Sequence, residues 1–273
     1  FIPGGDFSWQ AIPFYNEFFR MIDNKRISWS WNLFLGGNFF TSKSYYCVGD
    51  IYAWITYLLD KLLTPYVRNH VVVSLSFITV FKYYISGLLF GLYLDVLSDD
   101  KTKKAHFIYL YSILYAFSGW SITFSEEVQF LSFYSLIPLL LLGTESFLQH
   151  RNSIIVILSV SLLIGADFYL FWPLCIFLLF YWFIRYYFIY GTIWSKEFLK
   201  VSLSFISVFL IGVANTGFIW LPTLKELLNT DRFSLSIHPL VSEGSEAKVF
   251  HRHSRQVFYH PVPVEKRSIQ QRF

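Results

Sequence analysis

The chain has 273 residues, of which 55% are hydrophobic and only 15% charged, with a mean hydropathy of +0.46 and a formal net charge of +4. Soluble proteins carry about 25% charged residues, so this composition excludes an ordinary soluble domain and places the chain in a lipid bilayer. Lys and Arg are scattered rather than gathered on one face, which leaves no footprint for nucleic acid. Cys47 and Cys175 lie in different settings, one in a loop and one in mid-span, so no disulfide is expected between them. There is also no CxxC or Cys/His spacing for a metal. The aromatic fraction of 22% has two readings, biased codon usage that inflates Phe and Tyr, or a carbohydrate-binding purpose.

The chain opens without Met, a basic n-region or an apolar h-region, so no signal peptide is visible. Phe1-Ile2-Pro3 reads as the outer end of a hydrophobic segment lying ahead of it, and the chain is expected to be an N-terminally truncated fragment. The stretch 1–50 is the long segment that is neither membrane-spanning nor simply polar. It combines Gly4-Gly5-Asp6, Trp9-Gln10, Ser30-Trp31-Asn32, Gly36-Gly37-Asn38 and Tyr45-Tyr46. Glycine pairs permit unusual backbone geometry and close approach, and the carboxylate, amides and aromatics around them suit a sugar or a phosphate. Within it, Ile12 to Ile22 is expected to be a short amphipathic helix, with Pro13 at its start and Phe14, Phe18 and Ile22 spaced by four.

Ile51, Trp54, Ile55, Leu58, Leu59 and Leu62 then form an apolar stripe at helical spacing, which Pro65 stops. A bilayer crossing takes about 20 residues, so this helix is expected to lie along the membrane surface. Six spans follow at roughly 71–94, 105–124, 128–148, 153–166, 168–188 and 198–221. Lys101, Lys103, Lys104, Arg151, Arg185, Lys196 and Lys200 fall at alternate turns, which are therefore assigned to the cytoplasm. Arg68, on the other side, disagrees mildly. The expected organisation is an extracytoplasmic loop with an interfacial helix at 1–70, a six-helix transmembrane region at 71–221, and an extracytoplasmic segment at 222–273. That last segment turns basic and aperiodic, and reads either as a disordered tail or as a prematurely ended or out-of-frame terminus. The segment 153–166 is short and meets Asp167-Phe168-Tyr169 as a broken helix, a feature tolerated where protein or a water-filled cavity covers the backbone.

Asp6 has two readings: a general base acting on an acceptor hydroxyl, or an ordinary turn cap. Lys82 lies in mid-span, where a charge is costly and functional by default. It could pair with an anionic phosphate or with Asp167, and snorkelling is awkward at that depth. Asp167 and Tyr169 could line a cavity or cap a helix. Glu126 and Glu127 read as solvated turn residues, and Ser118-Gly119-Trp120 and Pro138 as packing and kink residues. The histidines show no ligand spacing, and no phosphate loop, dinucleotide motif or serine-hydrolase elbow is present.

With these residues in view, the chain resembles the YfhO family of bacterial polytopic membrane proteins. The likeness rests on Gly5-Asp6-Phe7 with Gln10, Ser30-Trp31-Asn32, Gly36-Gly37-Asn38-Phe39-Phe40 and Tyr45-Tyr46. Further on it rests on Lys82, Tyr115 to Trp120, Pro138 to Leu141 and Phe168-Tyr169. The resemblance implies an all-α polytopic membrane protein with a C-type glycosyltransferase-like helical bundle and a large extracytoplasmic first loop. It implies transfer of a sugar from a polyprenyl-phosphate carrier to a cell-envelope polymer such as teichoic acid, in the bacterial cell membrane; the residues themselves point to no cofactor and no metal-ligand set. Asp6 then occupies the place of the catalytic carboxylate. Gln10, Trp31, Asn32, Asn38, Lys82, Asp167 and Tyr169 become candidates for binding substrate, and Lys82 or Arg20 for steadying the leaving phosphate. Family members are longer, so a fragment of this kind is expected to lose activity. A transporter or flippase of lipid-linked sugars and a non-catalytic membrane partner are the competing readings.

Overall fold

A computed structural model describes residues 5–26, 28–32, 36–98, 104–193 and 195–228. The chain divides into two units, Phe1–Leu224 and Lys225–Phe273. Of the second, only Lys225–Leu228 is described, so the expected 222–273 segment lies almost wholly outside the described residues.

A π-helical turn at Phe7–Ala11 runs directly into α1 (Ile12–Asp23), with Pro13 in its first turn, where a missing N–H costs nothing. A two-residue ladder follows, β1 (Trp29–Ser30) antiparallel to β2 (Gly37–Asn38), with Trp29 opposite Asn38 and Ser30 opposite Gly37. Next come α2 (Phe39–Lys43), a second π-helical turn at Ser44–Val48, and α3 (Ile51–Leu63). Asp50 starts α3 by accepting the Tyr52 N–H at 2.9 Å, the usual duty of an aspartate at a helix N-cap.

The expected stripe on α3 is present, and it faces outward. Ile51, Trp54, Ile55, Leu58 and Leu62 are exposed, while Tyr52, Thr56 and Asp60 are buried against the protein. A helix in water would be arranged the other way round, and this outward apolar side suits a lipid neighbour.

The remaining helices are α4 (His70–Leu97), α5 (Lys104–Ala116), α6 (Gly119–Thr123), α7 (Val128–His150), α8 (Ile154–Ala166), α9 (Phe168–Tyr190), α10 (Lys196–Asn215) and α11 (Gly217–Leu228). Four of them, α4, α7, α9 and α10, are long and apolar enough to cross a membrane. Two of the expected spans are divided. Residues 105–124 form α5 and α6, because Ser118 turns its backbone extended and caps α6 through the Ser121 N–H. The stretch 198–221 breaks at Thr216 into α10 and α11. As expected, 154–166 is short: at 1.5 Å per residue α8 is about 20 Å long, against about 30 Å of hydrocarbon.

α7 is the hub, with sixteen buried residues along its length, and α4, α8 and α9 pack on it. An aromatic ladder ties α4, α5, α6 and α7 together: Phe90 on Tyr115 at 4.3 Å, Tyr115 on Tyr134 at 4.6 Å, and Tyr134 on Trp120 at 5.0 Å. Tyr115 and Tyr134 also exchange hydroxyl-to-carbonyl bonds of 3.0 and 2.6 Å. Small residues allow other close crossings. A Cβ added to Gly165 would stand 2.4 Å from the Gly49 carbonyl oxygen, and one on Gly212 would stand 2.8 Å from the Val160 Cβ.

Toward the far end of the bundle, Glu145 of α7 is fully buried. It accepts from Arg185 of α9 at 2.5 and 2.7 Å and from the Tyr181 hydroxyl, which Tyr93 of α4 contacts at 3.0 Å. This bidentate pair locks α9 onto α7 inside the apolar layer. Arg185, expected at a cytoplasmic exit, turns its guanidinium to Glu145.

Candidate functional site

The residues before α4 form a folded layer at the end of the bundle where α7 starts and α8 ends. Its interior is aromatic: Tyr15, Phe18 and Phe39 are fully buried, with Phe18 stacked on Phe39 at 6.1 Å. The polar core of the layer is Glu17. It accepts from Arg20 at 2.7 and 3.0 Å, from the Ser30 hydroxyl, and from Asn32 Nδ2 at 2.9 Å. Burial alone would raise this carboxyl. The bonds from Arg20, Ser30 and Asn32, with the Arg20 charge, outweigh burial and hold it at about 2.

That network gives Asn32 a structural partner and holds the strand that presents Trp31. The Trp31 indole is 75% exposed and meets Trp29 edge-on at 5.5 Å. Gly36 has φ +117, and a Cβ there would lie 2.9 to 3.0 Å from both rings, so its bare backbone is what lets the two indoles close over the turn. Asn38 accepts the Thr41 N–H at 3.3 Å at the start of α2. Arg20, proposed from sequence for a leaving phosphate, forms its bonds with Glu17.

Asp6 is exposed, just ahead of the first π-helical turn, and accepts from Gln10 Nε2 at 2.9 Å. Trp9, beside Gln10, is 82% exposed. Gly5, with φ +49, packs against the turn before α7: a Cβ on it would stand 2.3 Å from Glu126 Oε2. In the same turn Glu127 lies within hydrogen-bonding reach of Asp6 and accepts from Gln129 Nε2 at 2.9 Å. Asp6, Gln10, Glu127 and Gln129 therefore form one group.

Beneath it, Lys82 of α4 is fully buried. Its ammonium donates to the Val128 carbonyl at 2.9 Å and lies 5.1 Å from the centre of the Tyr52 ring. The carboxylate in its field is Asp50, not the Asp167 considered from sequence. Asp50 in turn accepts from Ser132 Oγ at 2.5 Å, and Ser132 also donates to the Val128 carbonyl at 3.0 Å. Burial pushes the Asp50 carboxyl up, against the opposing pull of Lys82, Ser132 and the Tyr52 N–H. Lys82, Asp50 and Ser132 thus fix the first turn of α7, the turn that carries Glu127 and Gln129. Contact between Lys82 and a lipid phosphate would require α4 and α7 to part.

Asp167 is 2% exposed and starts α9 by accepting from the Tyr169 and Leu170 N–H groups at 2.9 and 3.1 Å. Tyr169 is 47% exposed, with its ring 4.0 Å from that of Phe168. The expected cavity at this break is replaced by close packing, since Gly49 and Gly165 meet there backbone to backbone. A groove of about 1050 Å³ runs elsewhere, between α4 and α5, from Val80 and Phe117 to Asp95, with Gly87 and Gly91 in its floor.

Sequence reasoning did not single out Asp50, Glu17 or Glu145, and it took Glu127 for a solvated turn residue. Asp50 carried a usable signal, an aspartate immediately before an apolar helical run. Glu17 carried a weaker one, its place three residues before Arg20. Among the described residues, no group of three or more His, Cys, Asp or Glu is arranged to hold a metal ion.

The helical layers, the outward apolar faces and the four crossing helices define an all-α polytopic membrane protein. Residues 1–251 match the family described as Bacterial membrane protein YfhO, and the chain belongs to that family. No curated protein and no solved structure matches it.

Proposed function

We propose that this chain is the sugar-transferring part of an envelope glycosyltransferase, with Asp6 as the general base. The observation that carries the reading is the setting of Asp6: an exposed carboxylate, oriented by Gln10, at the edge of a folded layer that also exposes Trp9, Trp29 and Trp31. Indole faces suit the apolar face of a sugar ring, and an exposed carboxylate on the same layer suits removal of a proton from an acceptor hydroxyl. In the proposed reaction, the acceptor oxygen gives its proton to Asp6 and bonds to the anomeric carbon. The bond from that carbon to the carrier phosphate breaks, and the lipid phosphate leaves with the electron pair.

The folded layer faces the extracytoplasmic side, as the distribution of basic loops implies, and the chain crosses the bilayer six times, with α5–α6 and α8 as short crossings. The apolar groove between α4 and α5 suits the isoprenoid tail of the carrier, and its upper end begins at Val80, half a turn from Lys82 on the same helix. Trp31, Gln10 and Tyr169 are placed to meet the sugar or acceptor, while Asn32, Asn38, Asp167 and Lys82 support the layer and the helix starts around it.

The test is complementation. Cells lacking the gene receive the wild-type or the Asp6→Asn form, and glycosylation of the envelope polymer is read by mass spectrometry. Loss of the sugar at equal protein level and insertion supports the reading. Unchanged glycosylation removes Asp6 as the base and favours a transporter of lipid-linked sugar, a reading that the short α8 and the break at Asp167 would also suit.

A further inference from the structure

The turn before α7 does more than solvate two glutamates. Gly5 lies so close to Glu126 that a Cβ would stand 2.3 Å from its Oε2, which brings the backbone of Asp6 onto this turn. Glu127 is held from the other side by Gln129 Nε2 at 2.9 Å. Gln129 is only 6% exposed, and its Oε1 has no hydrogen-bond partner, so an unused acceptor stands beside the carboxyls. The charged groups around Glu127 are Asp6 ahead of the π-helical turn, Glu126 in its own turn, and Lys82 of α4, which sits on the next carbonyl along, that of Val128.

We infer that Glu127 is a positioning residue for Asp6, and that the two carboxyls hold one proton between them. Two ionised carboxylates within hydrogen-bonding reach repel, and one bound proton turns that repulsion into a strong bond. Burial first, and then Asp6, pushes the Glu127 carboxyl above its ordinary range. Glu127 therefore carries the shared proton and bonds it to Asp6. Once the shared proton is lost on raising the pH, the pair separates and Asp6 leaves its place. The inference rests on the reading of Asp6 as base.

The experiment uses the full chain in lipid nanodiscs, with two readouts. The first is the infrared band of protonated carboxyl followed through a pH titration; Glu127→Gln is expected to remove the carboxyl that titrates above the ordinary range, and Asp6→Asn to shift it to lower pH. The second is the pH profile of sugar transfer from a synthetic polyprenyl-phosphate sugar. Glu127→Gln, whose amide still donates to Asp6, is expected to keep most activity and to lose the fall that accompanies loss of the shared proton, whereas Glu127→Ala loses about 10-fold or more. Glu197→Gln, on the exposed first turn of α10, serves as control and changes neither readout. The inference is overturned if the band is the same in Asp6→Asn as in wild type, or if Glu127→Ala transfers sugar with the wild-type profile. It is also overturned if activity and band respond to EDTA, because a cation then takes the place of the proton. Should Asp6→Asn itself remain active, the base assignment fails, while the infrared result still decides whether the pair exists.

Discussion

Replacing Lys82 by methionine keeps the length and apolar volume of the side chain and removes its charge. The structure gives the expected cost. Asp50 is fully buried, and without Lys82 its carboxylate keeps only Ser132 Oγ and the Tyr52 N–H. The Val128 carbonyl keeps only Ser132. Leaving a buried charge without its counter-charge costs about 3–5 kcal/mol, and because Lys82 and Asp50 attract across a gap rather than through a direct bond, Lys82→Met falls near the lower end. Asp50→Asn retains an oxygen for the Tyr52 N–H but leaves Lys82 without an opposing charge, for about 2 kcal/mol. The double variant has no unpaired charge, so the two losses overlap, with a coupling of about 1–3 kcal/mol. Equilibrium unfolding in mixed micelles, followed by tryptophan fluorescence, measures all four forms. Strict additivity of the two losses, or a Lys82→Met form as stable as wild type, would refute the claim that this pair anchors α7. The double variant should also recover sugar transfer if Lys82 works by holding the helix that carries Glu127; a stable but inactive double variant would return Lys82 to the phosphate.

The Glu145–Arg185 pair should behave in the same way without touching activity: Glu145→Gln lowers stability by about 3 kcal/mol, and thermal unfolding of the double variant with Arg185→Met shows partial recovery. Gly165→Ala forces a methyl group into the Gly49 carbonyl oxygen, so unfolding measurements should register a loss of about 1–3 kcal/mol. The Glu17 carboxyl, held at about 2 against an ordinary 4.5, binds its proton more readily in the unfolded chain. Its contribution is therefore complete above about 4.5 and disappears as pH falls toward 2. Near-ultraviolet circular dichroism of the Trp29–Trp31 pair should follow that loss, and Glu17→Gln should flatten it.

Much of this protein is legible in its sequence because bilayer insertion is a composition and length problem. Runs of apolar residues at 71–94, 128–148 and 168–188 announce helices that no packing can alter, since unpaired backbone groups are intolerable in hydrocarbon. The stripe on α3 and the start of α1 at Pro13 are equally local, as both depend on spacing and on one residue's backbone chemistry. The fixed partners of the charges are not local. Lys82 was visible as a buried cation, yet its carboxylate lies 32 positions earlier at Asp50 rather than at Asp167, because the crossing of α3, α4 and α7 decides which side chains share one dry space. Glu145 and Arg185 are 40 positions apart and meet only when α9 lies along α7. Glu127 reads as a solvated turn residue until Gly5, lacking a side chain, lets the chain before Asp6 settle against that turn. Sequence alone determined that the chain is a helical membrane protein and where its long apolar helices lie. Tertiary packing alone decided what each buried charge faces, because in a medium of low dielectric a charge is governed by its nearest partner, and nearness between distant segments is written only in the fold.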